Sequence, residues 1–246
     1  MATASPVAGI RPPSAPCAAT DGKVQPIWHP SDNFGPRRLG ARPDIVVLHY
    51  TAMKSAEAAR DWLCNSESGV SAHYVLGYNG TCWQLVTEEM RAWHAGLGAW
   101  GSVAEVNSRS IGIEIANTGD EPFPDAQMDA LEVLLSGILE RWQIPPQRVI
   151  GHACMAPGRK IDPGPRFDWA RLVQKGLAVD AAPQTPGDAP DQFRLDAHRF
   201  GYRTEPEQLD ALLTSFRDRF RPGATGPLDD EDRARMAGLA ACWPAA

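Results

Sequence analysis

Two of the six histidines and one aspartate stand where a chain presents chemistry. His49 closes the apolar run Ile45-Val46-Val47-Leu48, and His152 closes Val149-Ile150-Gly151. Asp162 follows in the proline-stiffened stretch Lys160-Ile161-Asp162-Pro163-Gly164-Pro165. Strand ends are where a rigid sheet offers side chains to a cleft. Two neutral imidazoles and one carboxylate suit a catalytic zinc ion, which takes three protein ligands and keeps a fourth position for water. Spacing alone, with no H-E-x-x-H and no local pair, reads equally as histidines that cap strands. Cys154 lies two residues after His152. A thiolate there would be a fourth protein ligand and would close the site, so Cys154 reads as a small loop residue.

The elements that must position these residues alternate between strand and helix. Ile45–Leu48 is a β-branched run after Arg42-Pro43-Asp44 and predicts a buried strand. Ser55 to Leu63 predicts a helix capped by Ser55. Strands are expected at His73–Leu76 and Cys82–Val86, joined by a tight turn at Asn79-Gly80. In Ser110–Ala116 the isoleucines 111, 113 and 115 share one face, so Gly112, Glu114 and Ala116 share the other. Pro124–Trp142 carries Met128, Leu131, Leu134, Leu135, Ile138 and Leu139 at helical spacing, a core-packing stripe. A short strand at 149–152 runs into a loop, and Asp168–Val179 predicts a closing helix. The fold class expected is α/β (α+β): a mixed central sheet flanked by helices, with a small all-helical C-terminal domain.

Five segments, in order, resemble the zinc-dependent N-acetylmuramoyl-L-alanine amidases of the AmpD/AmiD type. They are L-H-Y-T (48–51), S-A-H-Y-V-L (71–76), A-W-H-A-G (92–96), S-I-G-I-E-I-A-N (110–117) and G-H-x-x-x-A-P-G-R-K-x-D-P-G-P-x-F-D-W (151–169). The resemblance covers about residues 27–177 and implies the fold shared with T7-type lysozymes and peptidoglycan recognition proteins. It implies Zn2+ as cofactor, with His49, His152 and Asp162 as ligands, Glu114 as catalytic acid/base and Lys160 beside the metal as oxyanion stabiliser. The implied reaction is hydrolysis of the amide between the lactyl group of N-acetylmuramic acid, or its 1,6-anhydro form, and L-alanine. Peptidoglycan fragments are the expected partners, in cell-wall recycling. A non-catalytic muropeptide-binding protein is the alternative; such binders typically lack a zinc ligand, whereas all three are present here. In the T7 branch a tyrosine precedes the histidine matching His73; Ala72 stands there, which favours the glutamate mechanism.

Other residues carry two readings. His94, in the Trp93-His94-Ala95-Gly96 motif, is read either as a substrate contact or as structural, and Asn117 either binds substrate or closes its strand. Trp93, a candidate substrate-binding residue, Trp100 and Trp83 each read either as a ring that stacks on a sugar face or as core, the commoner role of an aromatic residue. His73 reads as packed, and His29 and His198 carry no chemical context.

Composition bounds the rest. With 246 residues, 43% hydrophobic and 22% charged, the chain is long enough to bury a core and is not disordered. A net charge of −6 leaves no broad nucleic-acid footprint, and no apolar run is long enough to span a membrane. The five scattered cysteines and the lack of a secretory signal in 1–19 point to the cytoplasm, or to the periplasm if an export signal is missing. A monomer is expected. The predicted division is a loose N-terminal arm (1–26), the amidase domain (27–179), a linker (180–191) and a helical module (192–246). Within the last, F-R-L-D-A-H-R-F-G-Y (193–202), F-R-D-R-F-R-P (216–222) and G-P-L-D-D-E-D (226–232) resemble a peptidoglycan-binding helical module. The segment reads either as that module or as a docked cap. The proline-rich linker predicts that a chain ending near Gly187 keeps turnover of a soluble substrate.

Overall fold

The protein is described from a computed structural model, over residues 24–245. The predicted arm therefore lies outside the described residues up to residue 23. The strands are β1 (Ile27–Trp28), β2 (Phe34–Pro36), β3 (Ile45–Tyr50), β4 (Tyr74–Leu76), β5 (Cys82–Gln84), β6 (Met90–Ala92), β7 (Ser110–Ile115) and β8 (Val149–Gly151). The helices are α1 (Ala56–Cys64), α2 (Val106–Arg109), α3 (Asp125–Trp142), α4 (His152–Met155), α5 (Trp169–Gln174), α6 (Gln192–Phe200), α7 (Leu209–Phe220) and α8 (Asp230–Cys242). No helix among the described residues is long and apolar enough to cross a membrane.

Six strands form one mixed sheet in the order β1-β5-β4-β7-β3-β8, with β4 and β5 antiparallel and every other pair parallel. β2 and β6 form a separate antiparallel pair. This is the mixed sheet flanked by helices that the alternation predicts. β3, at 0% exposure from Ile45 through Leu48, is apolar on both faces because both are covered. Val46 and Leu48 join Ile111, Ile113 and Ile115 against the Met128–Ile138 stripe of α3. Ile45 and Val47 point the other way, toward Trp100, Ile150 and the C-terminal helices. Ser55 caps α1 by accepting from the Ala58 N–H at 3.2 Å, and Gly80 turns the β4–β5 hairpin at a φ of +83°.

Several boundaries differ from the sequence reading, among them the strand expected over Cys82–Val86, which spans only Cys82–Gln84, and two near the site. His152 opens the one-turn helix α4 rather than ending a strand, and the helix expected over 168–179 spans only Trp169–Gln174. Gly176, at a φ of +69°, turns the chain there, and Leu177, Ala178 and Val179 are buried beyond the helix.

The C-terminal helices share a core with the sheet. Phe193, Phe200, Tyr202, Leu212, Phe216, Met236 and Leu239 are all within 2% of full burial and pack with Ile45, Val47 and Ile150. Trp100 sits edge-on to Phe200 and Tyr202, at centroid distances of 5.3 and 5.2 Å. The Arg219 guanidinium lies over the Trp169 ring at 4.4 Å. Inside the helical unit, buried Asp232 takes hydrogen bonds from Arg217 and Arg221, and Arg217 also donates to the Gly226 and Pro227 carbonyls. The two C-terminal motifs thus hold α7 to α8.

The stretch 180–191 departs from an unpacked linker at its start. Ala181 is buried, Gln184 N–H donates to the Ala234 carbonyl at 2.9 Å, and a Cβ on Gly238 would lie 1.7 Å from the Ala182 carbonyl oxygen. Proline content signals irregular backbone but not whether that backbone lies against a helix.

Candidate active site

His49 lies near the C-terminal end of β3 and pairs in register with Glu114 on β7, so the two side chains enter the same cleft from neighbouring strands. The β8–α4 junction delivers His152. Asp162 is brought back by its own loop, whose carbonyl at 162 accepts from Ala153 N–H at 2.9 Å. Gly151 makes room for this approach: a Cβ there would stand 2.6 Å from Cδ of Pro163.

The three side chains converge. His49 Nδ1 lies 2.9 Å from His152 Nδ1 and 2.9 Å from Asp162 Oδ2, and His152 Nδ1 lies 3.0 Å from the same oxygen. All three residues are buried. His152 Nε2 stands 2.9 Å from the Ala95 carbonyl oxygen, which only accepts. Nε2 therefore carries the proton, and the Nδ1 lone pair faces the centre. A lone pair and a carboxylate oxygen meeting a third ligating atom in a buried pocket are the donor set of a metal cation, and these residues fit one. Burial, and secondarily the charge of His152, lowers His49 to about 4, so the imidazole is neutral and available as a ligand.

Glu114 lines the same cleft, and its Oε2 is buried without a protein partner. Burial, reinforced by the charge of Asp162 and opposed by Lys160, pushes its carboxyl up to about 8. Lys160 lines the cleft as well. The cleft holds about 490 Å³ and has an apolar side formed by Met53, Trp62, Leu63 and Val70, with Ile161 also lining it. Trp62 and Ile161 are 52% and 64% exposed, a surface open to a ligand rather than packed core.

The remaining candidates divide. Trp93 lines the cleft. His94 also lines the cleft and packs against His49, its Nδ1 3.0 Å from His49 Nε2. Asn117 is wholly buried and is not among the residues lining the cleft; its Oδ1 accepts from Gly119 N–H at 2.7 Å, and its Nδ2 is buried without a protein partner. His73 is packed, its Nδ1 accepting from Gly112 N–H at 3.0 Å, and Trp83 and Trp100 are core. Cys154 is buried in α4 beneath Tyr202, whose hydroxyl lies 3.7 Å from its sulfur. Arg159, Asn107 and Ser110 escaped the sequence reading. Arg159 lines the cleft and donates to the Ala95 carbonyl at 2.9 Å; its signal was its place between Gly158 and Lys160 in the longest motif. Ser110 opens the S-I-G-I-E-I-A-N segment, whereas nothing in the sequence marks Asn107.

A converged His-His-Asp set that fits a metal cation, beside a carboxylate in an open cleft on a mixed sheet, is the arrangement of a hydrolase site. The sequence profile described as "N-acetylmuramoyl-L-alanine amidase" matches residues 39–165, and the chain belongs to this family and is an amidase of that type. It is 35% identical to the N-acetylmuramoyl-L-alanine amidase AmiD of Escherichia coli K12, across 89% of this chain and 91% of that protein. It is 31% identical to the 1,6-anhydro-N-acetylmuramyl-L-alanine amidase AmpD of Citrobacter freundii, over 58% of this chain and 86% of AmpD. The E. coli AmiD structure, a complex with the substrate anhydro-N-acetylmuramic acid-L-Ala-D-gamma-Glu-L-Lys, superposes with a TM-score of 0.73 at 32% identity, covering 87% of this chain and 92% of that one. AmpDh3 from Pseudomonas aeruginosa superposes with a TM-score of 0.75 at 30% identity, covering 85% and 95%.

Proposed function

We propose that this chain hydrolyses the amide between the lactyl group of N-acetylmuramic acid, including the 1,6-anhydro form, and L-alanine in peptidoglycan fragments, with Zn2+ held by His49, His152 and Asp162. The observation that carries the reading is the convergence of His49 Nδ1, His152 Nδ1 and Asp162 Oδ2 within 3.0 Å of one another, next to the unpartnered Oε2 of Glu114. When bound, the zinc ion would supply Lewis acidity toward water and the scissile carbonyl, and its positive charge would favour the ionised, proton-accepting form of Glu114.

Glu114 accepts the proton of the water that attacks the lactyl carbonyl, at the oxygen that no protein group occupies. The Lys160 ammonium faces the oxyanion that forms as the carbon becomes tetrahedral. Glu114 then gives its proton to the alanine nitrogen as the C–N bond breaks, leaving a lactyl carboxylate and a peptide with a free amino end. The apolar wall at Trp62 and Val70, with Trp93, offers surface to the sugar and lactyl portion. Recycling of wall fragments is the process proposed, in the cytoplasm; the four described cysteines, Cys64, Cys82, Cys154 and Cys242, are all unpaired, as a reducing compartment favours.

Product analysis on matched soluble anhydro-muropeptides and intact sacculi tests the substrate. Glu114→Gln tests the mechanism: zinc content stays stoichiometric and kcat falls by about 10²–10⁴, because the amide keeps the shape but cannot accept a proton. A zinc-loaded Glu114→Gln protein within a few-fold of wild-type kcat would remove Glu114 from the reaction.

A further inference from the structure

The two histidines of the triad share a feature that the ligand set itself does not require: both have their outer nitrogen held by the same two-residue segment, His94-Ala95. His152 Nε2 meets the Ala95 carbonyl at 2.9 Å, and His49 Nε2 meets His94 Nδ1 at 3.0 Å. Two imidazole nitrogens facing each other leave the proton's place open until the far end of the chain of contacts is read.

That end is fixed. The Ser110 hydroxyl lies 2.7 Å from the Val106 carbonyl, and only the hydroxyl has a hydrogen to give, so it donates there. Its oxygen is then the acceptor for His94 Nε2 at 3.1 Å. A neutral imidazole that donates from Nε2 accepts at Nδ1, so the proton between His94 and His49 belongs to His49 Nε2. His49 Nδ1 is thereby left with its lone pair turned toward His152 and Asp162. We propose that His94 and Ser110 are positioning residues that lock His49 in the Nε2–H tautomer and so present Nδ1 to the metal, while Asn107 holds the segment that serves both histidines. The Asn107 Oδ1 accepts from the backbone N–H of both His94 and Ala95, at 3.0 and 2.8 Å. Gly112 completes the seat: the His94 ring lies flat against β7, where a Cβ would fall 2.4 Å from its Cγ.

The proposal rests on the metal assignment above, and its tests separate the two. Long-range 1H–15N spectra of the wild-type protein read the tautomer without any assay of turnover; His94 is expected with Nε2 protonated and Nδ1 bare. A proton on His94 Nδ1 overturns the relay. In chelator competition, His94→Phe, which removes the acceptor for His49 Nε2–H, weakens zinc binding by about 10–100-fold, the usual cost of losing a group that orients a metal ligand. His94→Gln restores part of that loss, because its amide oxygen can accept the same hydrogen. Ser110→Ala shifts zinc affinity in the same direction by less. A wild-type chain that takes up no zinc removes the metal assignment itself. Wild-type zinc affinity in a folded His94→Phe protein overturns the relay and leaves the ligand set standing.

Discussion

The two faces of the central sheet are built from the same strands and do opposite things. The face under α3 is apolar from end to end: Val46 and Leu48 of β3, Ile111, Ile113 and Ile115 of β7 and Tyr74 and Leu76 of β4 meet the Leu and Met stripe of one local helix. The opposite face changes character along its length. It is apolar where Ile45, Val47 and Ile150 meet the C-terminal helices, and polar where His49, Gly112, Glu114 and His73 follow along the same strands. The period-two alternation of a strand allows this: one parity specifies a core and the other a core that passes into a site. The cost is that the second face depends on residues from far along the chain, 193–239, to cover its apolar part.

Removing those residues is the most severe way to break the comparison. A chain ending at Gly187 exposes Trp100, Ile45, Val47, Ile150 and Met155, and is expected to lose its cooperative melt and its stoichiometric zinc together. The expectation drawn from the linker's proline content, continued turnover after this cut, gives way to the packing. A truncated chain with a sharp circular-dichroism transition and bound zinc would show that the second face stands without its cover.

Single substitutions sharpen the same contrast. Phe216→Ala on the C-terminal side and Leu131→Ala on the α3 side each empty a fully buried position. The expected costs are about 3–5 kcal/mol for Phe216 and about 2–5 kcal/mol for Leu131. Both should lower one common transition in calorimetry. A separate early transition in Phe216→Ala alone would make the C-terminal helices a unit of their own.

The smallest effect concerns acid. Burial, and then the charge of Arg37, lowers His73 to about 3, so the folded protein keeps it neutral where an unfolded chain protonates near the ordinary histidine value of about 6.5. The unfolded state binds more protons between those values, so stability rises with pH there. The contribution is complete above about 6.5 and is lost as pH falls toward about 3. His73→Gln should flatten part of the acid limb of a melting-temperature profile. An unchanged limb would place the acid sensitivity elsewhere.

What the sequence made legible follows from how far each signal reaches. The 18-residue α3 shows itself through several turns of helical spacing, and β3 through an unbroken β-branched run. His49, His152 and Asp162 were legible because they end strands or sit in a long motif. β1, β2 and β6 escaped because two or three residues carry no period to read and, unlike the equally short β4, β5 and β8, they have no tight turn or β-branched run to flag them. Arg37, whose guanidinium donates to the carbonyls of Glu88, Ser108 and Ser110, and Asn107, which clamps 94–95, escaped for another reason. Their partners are backbone groups brought near only by the fold, and a backbone carbonyl leaves no mark in a sequence. The docking of α6–α8 stood in the sequence only as one of two readings, since an apolar helix face does not name what it covers.

The covering of the second face by α6, α7 and α8 also sets an order in time. A ribosome makes Asp162, the last of the three converging side chains, well before it makes Leu239 at the close of the shared core. At roughly 5–20 residues per second, about 4–15 s of synthesis separate the two. During that interval the nascent chain owns every metal-binding side chain but not the helices that seal the sheet behind them. Completion of the site is therefore tied to synthesis of residues 193–239, and a chain stalled within that stretch would carry a full set of candidate ligands on an unfinished support.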